Sequence, residues 1–408
     1  MGFAEQKQLD ELYVMPTFAR KQVCFVEGEG MRLRDDAGKE YLDFLSGIGV
    51  CSLGHCHPAV VDAIAKQAAR LIHVSNYFYI EQRGEVAKLL SDALNGWRPE
   101  DAVGTWKTFF ANSGAEANEC AMKLARVWSR RNSHGGNIIV TLEGSFHGRT
   151  METLAATAQP AKQELFEPLP GGFVHVPIND LEALQAVFDA HPQQICAVML
   201  EVIQGESGVH PCTQEFLRAA EQLAHSNGAL LIADEVQTGI YRTGKAFAFQ
   251  HFGIQPDIVA IAKGVAAGVP MGACAAREDI AAAFQPGDHG STFGGSNLAM
   301  AAAHTTLHVL HDEHFTTRVT EVGAYLAEAL AGLAQVIEVR GLGLMLGAEL
   351  DEALAPDVVA AGLEAGLVLN APTPTTLRFL PPLVCEKADV DVLIEKLSTI
   401  LSELGNKE

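Results

Sequence analysis

Between about residue 60 and residue 310 the chain alternates short apolar runs with amphipathic stretches at helical spacing, and this pattern restricts its fold more than any other feature. The apolar runs are Thr108–Ala111, Ile138–Leu142, Phe173–Val176, Ile195–Leu200, Ala229–Ala233 and Ile258–Ala262. Helical spacing occupies the intervals, as in Ala115–Trp128, Asp180–Ala190 and Thr213–Ser226. Parallel strands need long crossovers, and a helix is the usual one, so the alternation predicts a mostly parallel sheet covered by helices on both faces. From about residue 315 the pattern changes to a helix over Thr320–Leu333, strands in Val339–Leu350, Val368–Asn370 and Thr376–Phe379, and a final helix over Val390–Glu403. That reads as a second, smaller α+β domain. Gly28, Gly30 and the run Met31 to Phe44 predict a small β-meander near the start. The expected division is an N-terminal segment over 1–60 that joins the small domain, a large domain over 61–312 and a C-terminal small domain over 313–408.

Composition narrows the partners. Lys plus Arg number 29 against 50 Asp plus Glu, a net charge of 29 − 50 = −21. Such a field disfavours nucleic acid and anionic membrane surfaces, so neither is expected as a partner. An anionic substrate would have to be caught by a few local arginines. Eight cysteines are scattered without a Cys-x-x-Cys pair, and no signal-peptide pattern is present, which predicts reduced thiols and a cytoplasmic location. The stretch Ile258 to Ala276 is apolar apart from Lys263, but Gly264, Gly268, Pro270 and Gly272 interrupt it. It fits a buried strand and loop better than a membrane span.

In open α/β sheets, ligands bind at the carboxyl ends of the strands. Here those ends carry Asn112-Ser113-Gly114-Ala115, then Phe146-His147-Gly148-Arg149, then Glu201 with Gln204-Gly205-Glu206, then Asp234-Glu235-Val236-Gln237, and lastly Lys263. Ser113-Gly114-Ala115 opens a helix, whose free N–H groups suit a phosphate; an ordinary N-cap has the same residues. Asp234 follows five apolar residues, so its carboxylate needs a partner. A structural salt bridge is one, and a protonated pyridine nitrogen is another. Lys263 either snorkels to the surface or loses part of its charge by desolvation and becomes nucleophilic toward an aldehyde. Taken with Asp234, the aldehyde chemistry of a Schiff-base lysine fits better.

Other patterns lead nowhere. Gly239 to Lys245 matches a phosphate-binding P-loop until Ala246, where a Ser or Thr should stand. Gly341-Leu342-Gly343 has its third glycine one place late for a dinucleotide fingerprint and reads as the start of a strand. His304, His308 and His311 share a helical face without the accompanying Glu of a zinc motif, and His55-Cys56-His57-Pro58 reads as a turn, so no metal is expected.

The chain resembles the class III aminotransferases that use pyridoxal 5'-phosphate (PLP). The resemblance is carried by Gly54-His-Cys-His-Pro58, Asn112-Ser-Gly-Ala-Glu-Ala-Asn118, Phe146-His-Gly-Arg-Thr150, Gln204-Gly-Glu206, Asp234-Glu-Val-Gln-Thr-Gly239, Ala262-Lys-Gly264 and His289-Gly-Ser-Thr-Phe-Gly-Gly295. It implies an α/β protein of the PLP-dependent transferase fold type I. It makes Lys263 the Schiff-base lysine and proton shuttle, and pairs Asp234 with the pyridinium nitrogen. Phe146 and Val236 would flank the ring, Gln237 would reach the phenolic oxygen, and Ser113, Gly114 and Ala115 would hold the phosphate. Thr292 would reach the phosphate of a neighbouring subunit, which implies a homodimer with shared sites. Arg149 and Arg378 would bind substrate carboxylates, and Glu206 would neutralise Arg378.

Within the class, the run Gly47 to Phe78, Glu364 to Asn370 and Leu377-Arg378-Phe379 are most similar to the acetylornithine aminotransferases. The implied reaction moves the terminal amine of N-acetylornithine, or a close N-acyl analogue, to 2-oxoglutarate. It gives N-acetylglutamate semialdehyde and glutamate, a step of arginine biosynthesis. Succinylornithine, succinyldiaminopimelate, ornithine and 4-aminobutyrate aminotransferases are the nearest alternatives, followed by a PLP decarboxylase or aminomutase and a non-catalytic PLP-binding protein. Three positions depart from the usual pattern: Val202 for Pro, Tyr241 for Gly, and Ser296-Asn297 for Asn-Pro.

Overall fold

The structure, a computed structural model, describes residues 2–96, 104–132, 135–311 and 313–405. Its largest sheet has seven strands in the order Trp106–Ala111, Gly272–Arg277, Ile258–Ile261, Leu230–Asp234, Ile195–Leu200, Ile138–Leu142, Phe173–Val176. The pairs Leu230–Asp234 with Ile258–Ile261 and with Ile195–Leu200 are parallel, as are Ile138–Leu142 with its two neighbours. Gly272–Arg277 alone runs antiparallel to both strands beside it. The expectation for Ile258 to Ala276 was therefore half complete. The chain leaves one strand at Lys263, turns through the glycine-rich segment and returns as a second strand.

Central strands of such a sheet are buried on both faces, which explains why they read as unbroken apolar runs. Alternate residues serve opposite cores. Ile139, Met199, Leu230 and Ile232 pack with Cys120, Ala121 and Leu124 of helix Gly114–Arg131. Val140, Val198, Leu200, Leu231 and Ala233 belong to the larger core, together with Phe216, Leu217 and Ala220 of helix Gln214–Ser226. Thr213 caps that second helix by accepting from Phe216 N at 3.2 Å, and Asp180 caps Leu181–Ala190 by accepting from Ala183 N at 2.9 Å. Helix Gly114–Arg131 starts with Glu116 and ends with Arg130 and Arg131, matching the sign of its dipole at each end.

Three smaller sheets accompany the seven-stranded one among the described residues, one of them the two-stranded antiparallel pair of Ile203–Gln204 with His210–Pro211. Phe25–Glu29, Arg32–Asp35 and Glu40–Asp43 form the expected meander, and Leu367–Val368 joins it in parallel, with Leu367 opposite Leu42. Val336–Leu342, Met345–Leu350 and Thr376–Phe379 form an antiparallel sheet that places Arg378 opposite Gly347. Gly341 thus lies at the end of a strand and Gly343 in the following turn with φ 56°, not at the start of a strand as its sequence implied. Helix Glu313–Ala331 packs on the Val336–Leu342 strand, and helix Lys387–Gly405 packs on both Glu313–Ala331 and Ala355–Glu364. Among the described residues, no helix is long and apolar enough to cross a membrane. No group of three His, Cys, Asp or Glu side chains among them is arranged to hold a metal ion.

Candidate active site

Five strand ends open into one cavity of about 460 Å³. Its wall contains Ser113, Gly114, Ala115, Phe146, Arg149, Glu206, Asp234, Val236, Gln237 and Lys263. That size and that place, at the carboxyl edge of a parallel sheet, are those of a cofactor pocket.

One end is a helix start. Ser113 Oγ accepts from Glu116 N at 3.2 Å, and Glu116 in turn accepts from Asn112 N at 2.6 Å. Ser113 is therefore a true N-cap, while Gly114 and Ala115 lie among the first residues, whose N–H groups a helix leaves without internal partners. Glycine is required at 114, because a Cβ there would sit 2.7 Å from Val236 Cγ1. A Cβ on Gly272 would approach Ser113 O to 2.2 Å, so the returning antiparallel strand braces the same turn.

Asp234 forms the floor and is buried. Its Oδ2 accepts from Asn118 Nδ2 at 2.7 Å and from His147 Nδ1 at 2.8 Å, and its Oδ1 accepts from Val236 N at 3.0 Å. Among the described residues no Lys or Arg lies within 4.0 Å of it, and its ion-pair partner is His147, charged only when protonated. His147 Nε2 and Asn118 Oδ1 are themselves buried without partners. A buried carboxylate held by polar donors, with no Lys or Arg beside it, suits a cationic ring nitrogen.

Lys263 opens onto the cavity from a left-handed backbone, φ 48°. Burial pushes its amine down to about 8, against the opposing pull of Glu206. An amine in that range is partly neutral near physiological pH and so able to condense with an aldehyde. The phosphate-type turn, the buried acid and the lowered lysine are together what PLP requires, and the residues fit the group.

The other end holds the arginines. Arg378 is buried, and its Nη1 donates to Glu206 Oε1 at 2.5 Å, Gly205 O at 3.1 Å and Gln237 Oε1 at 3.2 Å, while Nε donates to Asn370 Oδ1 at 3.0 Å. Gln237 Nε2 donates to Glu206 at 3.2 Å, so its amide joins acid and guanidinium. Burial raises the Glu206 carboxyl, but Arg378 and Lys263 outweigh it and hold the group below the usual carboxylate range. Arg149 is exposed at the cavity mouth, its guanidinium carbon 5.5 Å from the centre of the Phe146 ring.

Thr292 is not in this cavity. It is exposed beside a second hollow with Asn76, Tyr77 and Arg83, where Asn76 Nδ2 donates to Ser291 O at 2.8 Å and to Gly294 O at 3.0 Å. Tyr77, Phe78, Tyr79 and Phe293 are exposed in the same region.

The strings quoted from the sequence contained Asn118 and His147, yet their task of holding Asp234 was not foreseen. Neither was that of Glu201, whose Oε1 accepts from Phe146 N at 2.8 Å and whose Oε2 accepts from Gly205 N at 3.2 Å. An acid ending the fully buried strand Ile195–Leu200 was the available signal. One departure acquires a local explanation, and one does not. Ser296 caps helix Asn297–Leu310 through Ala299 N at 3.4 Å, a task Asn performs as well. Tyr241 adopts φ 64° at a place where Gly is usual, in a conformation that disfavours side chains.

The sequence matches the family described as Aminotransferase class-III over residues 15–401. It is 46% identical over 400 residues to the acetylornithine aminotransferase of Caldanaerobacter subterraneus subsp. tengcongensis, covering 97% of this chain and 98% of that one. Its fold matches the ornithine aminotransferase from Toxoplasma gondii with a TM-score of 0.92 and 31% identity, covering 100% of this chain and 97% of that one. The acetylornithine aminotransferase from Elizabethkingia anophelis matches with a TM-score of 0.85 and 33% identity, covering 98% and 99%.

Proposed function

The chain belongs to the class III aminotransferase family, and on that premise we propose the substrates and the residue roles by which it acts. It is a PLP-dependent aminotransferase of the type I fold. The donor is N-acetylornithine, reacting at its terminal amine, and the acceptor is 2-oxoglutarate; the products, N-acetylglutamate semialdehyde and glutamate, belong to arginine biosynthesis. The names of the relatives support this, and one feature of the cavity carries it: Arg378 is masked by Glu206 at 2.5 Å while Arg149 stands exposed at the mouth. A donor that reacts at its far end has its α-carboxylate several bonds from the reacting carbon, within the province of Arg149. For 2-oxoglutarate the α-carboxylate adjoins the reacting carbon, and Glu206 has to leave Arg378 to receive it.

PLP, when bound, supplies an aldehyde for the incoming amine and a ring that takes up the electron pair released at carbon. Ser113, Gly114 and Ala115 would hold its phosphate, Asp234 would keep its ring nitrogen protonated, Phe146 and Val236 would pack the ring, and Gln237 would face its phenolic oxygen. Lys263 Nζ would take the proton from the carbon bearing the donor amine and hold it for return to the cofactor's former aldehyde carbon. Asn118 and His147 orient the Asp234 carboxylate, and burial of the site excludes water from the proton transfer.

The working unit is a cytoplasmic homodimer in which Thr292 of one subunit serves the site of the other; the exposed Tyr77, Phe78, Tyr79 and Phe293 around Thr292 support that pairing. The division into a large domain over 61–312 and a small one built from 1–60 and 313–408 is supported by the pairing of Leu367 with Leu42. A kcat/KM panel of N-acetylornithine, N-succinylornithine, N-succinyldiaminopimelate, ornithine and 4-aminobutyrate, each with 2-oxoglutarate, tests the assignment. N-acetylornithine should lead; a donor without the N-acetyl group, such as ornithine, 4-aminobutyrate or an N-succinyl compound, leading would overturn it.

A further inference from the structure

Glu201 is a buried acid that the mechanism above does not use. Its carboxylate joins two loops that carry opposite ends of the substrate. Oε1 accepts from Phe146 N, three residues before Arg149, and Oε2 accepts from Gly205 N, next to Glu206. No Lys or Arg lies within 4.0 Å of it among the described residues, so the two N–H groups are the hydrogen-bond donors that stabilise its charge.

Gly205 is held on every side. Its N–H goes to Glu201, its carbonyl accepts from Arg378 at 3.1 Å, and a Cβ there would meet Gln237 Oε1 at 2.1 Å. The residue from which Glu206 hangs is thus fixed by Glu201 on one side and by Arg378 on the other. His147 from the Phe146 loop and Asp234 and Lys263 from the next two strand ends interact with the charge of Glu201, Cys212 Sγ donates to the Glu201 carbonyl at 3.4 Å, and Glu206, paired with Arg378, follows directly after Gly205.

We propose that Glu201 is a positioning residue of the gate: its carboxylate pins Gly205 and keeps Glu206 on Arg378, and protonation of that carboxylate loosens Gly205 and unmasks Arg378. Discrimination between a terminal-amine donor and an α-amino acid then depends on pH through a residue that touches neither. Burial pushes the Glu201 carboxyl up to about 7, with His147 opposing and Asp234 adding to the shift, so the change falls near neutral pH. A protonated carboxyl is a poorer acceptor, and the Gly205 bond is the longer of the two. The inference rests on the reading of Glu206 as a gate over Arg378.

The test measures kcat/KM of the holoenzyme for N-acetylornithine and for glutamate, each reacting with the same aldehyde form, so that titrations of the free enzyme common to both cancel in the ratio. In the unaltered enzyme the ratio of terminal-amine donor to glutamate should fall about fivefold as pH drops from about 8 to about 6. Glu201→Gln should have the low ratio at all pH values. Hydrogen exchange of the apoprotein should be faster over 203–208 in that variant. A pH-independent ratio in the unaltered enzyme, or an unchanged pH dependence in Glu201→Gln, overturns the proposal, and the first of these decides even if the variant does not fold. Glu206→Ala separates the two readings. If it leaves the ratio unchanged, the gate itself fails; if it lowers the ratio while Glu201→Gln does not, only the role of Glu201 fails.

Discussion

The Asp234 end of the cavity fixes its charge with groups that cannot move far, whereas the Arg378 end fixes its charge with a side chain on a glycine-bounded loop. Asp234 takes donors from a helix, a strand-end loop and its own backbone two residues on. Among the described residues Arg378 takes its one acid from Glu206, between Gly205 and Gly208, and Gly208 has φ 124°. Fixed donors pre-organise a site for one charge distribution, and a side chain on a loop serves two. The contrast assigns the unchanging part of the reaction to the floor and the choice of substrate to the mouth.

The most severe way to test that contrast is at Lys263. Lys263→Ala should lower kcat by about 10²–10⁴-fold for every substrate alike, and PLP should remain bound without its covalent link, as read by absorbance and by retention on gel filtration. Because burial sets the Lys263 amine at about 8, covalent uptake of PLP by the apoprotein should accelerate as pH rises through that value, as the charged amine becomes neutral. Asp234→Asn comes next, with a loss of about a hundredfold in kcat for both half-reactions; a loss confined to one substrate would break the division between floor and mouth. Glu206→Ala should leave kcat for glutamate nearly unchanged while moving the donor-to-glutamate ratio by about tenfold, the worth of one charge-assisted pair. Thr292→Val should have the smallest effect, a PLP dissociation constant about fivefold weaker by equilibrium dialysis, with the subunit fold intact by circular dichroism.

The floor was more legible in the sequence than the mouth, for a physical reason. Strand ends are marked by the point where an apolar run stops, so Asp234 and Lys263 could be found from Leu230–Asp234 and Ile258–Ile261 alone. The partners of Asp234 come from residues 116 and 87 positions away, and no local pattern announces such a pairing. Gly272–Arg277 was hidden because its neighbour in sequence is as apolar as itself, and periodicity cannot separate two adjoining buried strands. Helix Phe3–Tyr13 buries none of its residues and so lacks the stripe by which a helix is recognised. Arg378 was named only through the family resemblance, and Glu206, though read at a strand end, was paired with it only there; their 172-residue separation carries no signal of contact.

The left-handed backbone at Lys263 bears on heat tolerance as well as on chemistry. A side chain with φ 48° is strained by roughly 1 kcal/mol relative to glycine, and burial of its amine adds to the burden. The chain therefore keeps its reactive group at a position where the fold would be better served by no side chain at all. Apoprotein carrying Lys263→Gly should melt slightly above the unaltered apoprotein, while the holoenzymes should rank the other way, because the covalent link to PLP repays the strain. The heat tolerance of this enzyme would then depend on how fully it is loaded, and an excess of cofactor would protect it.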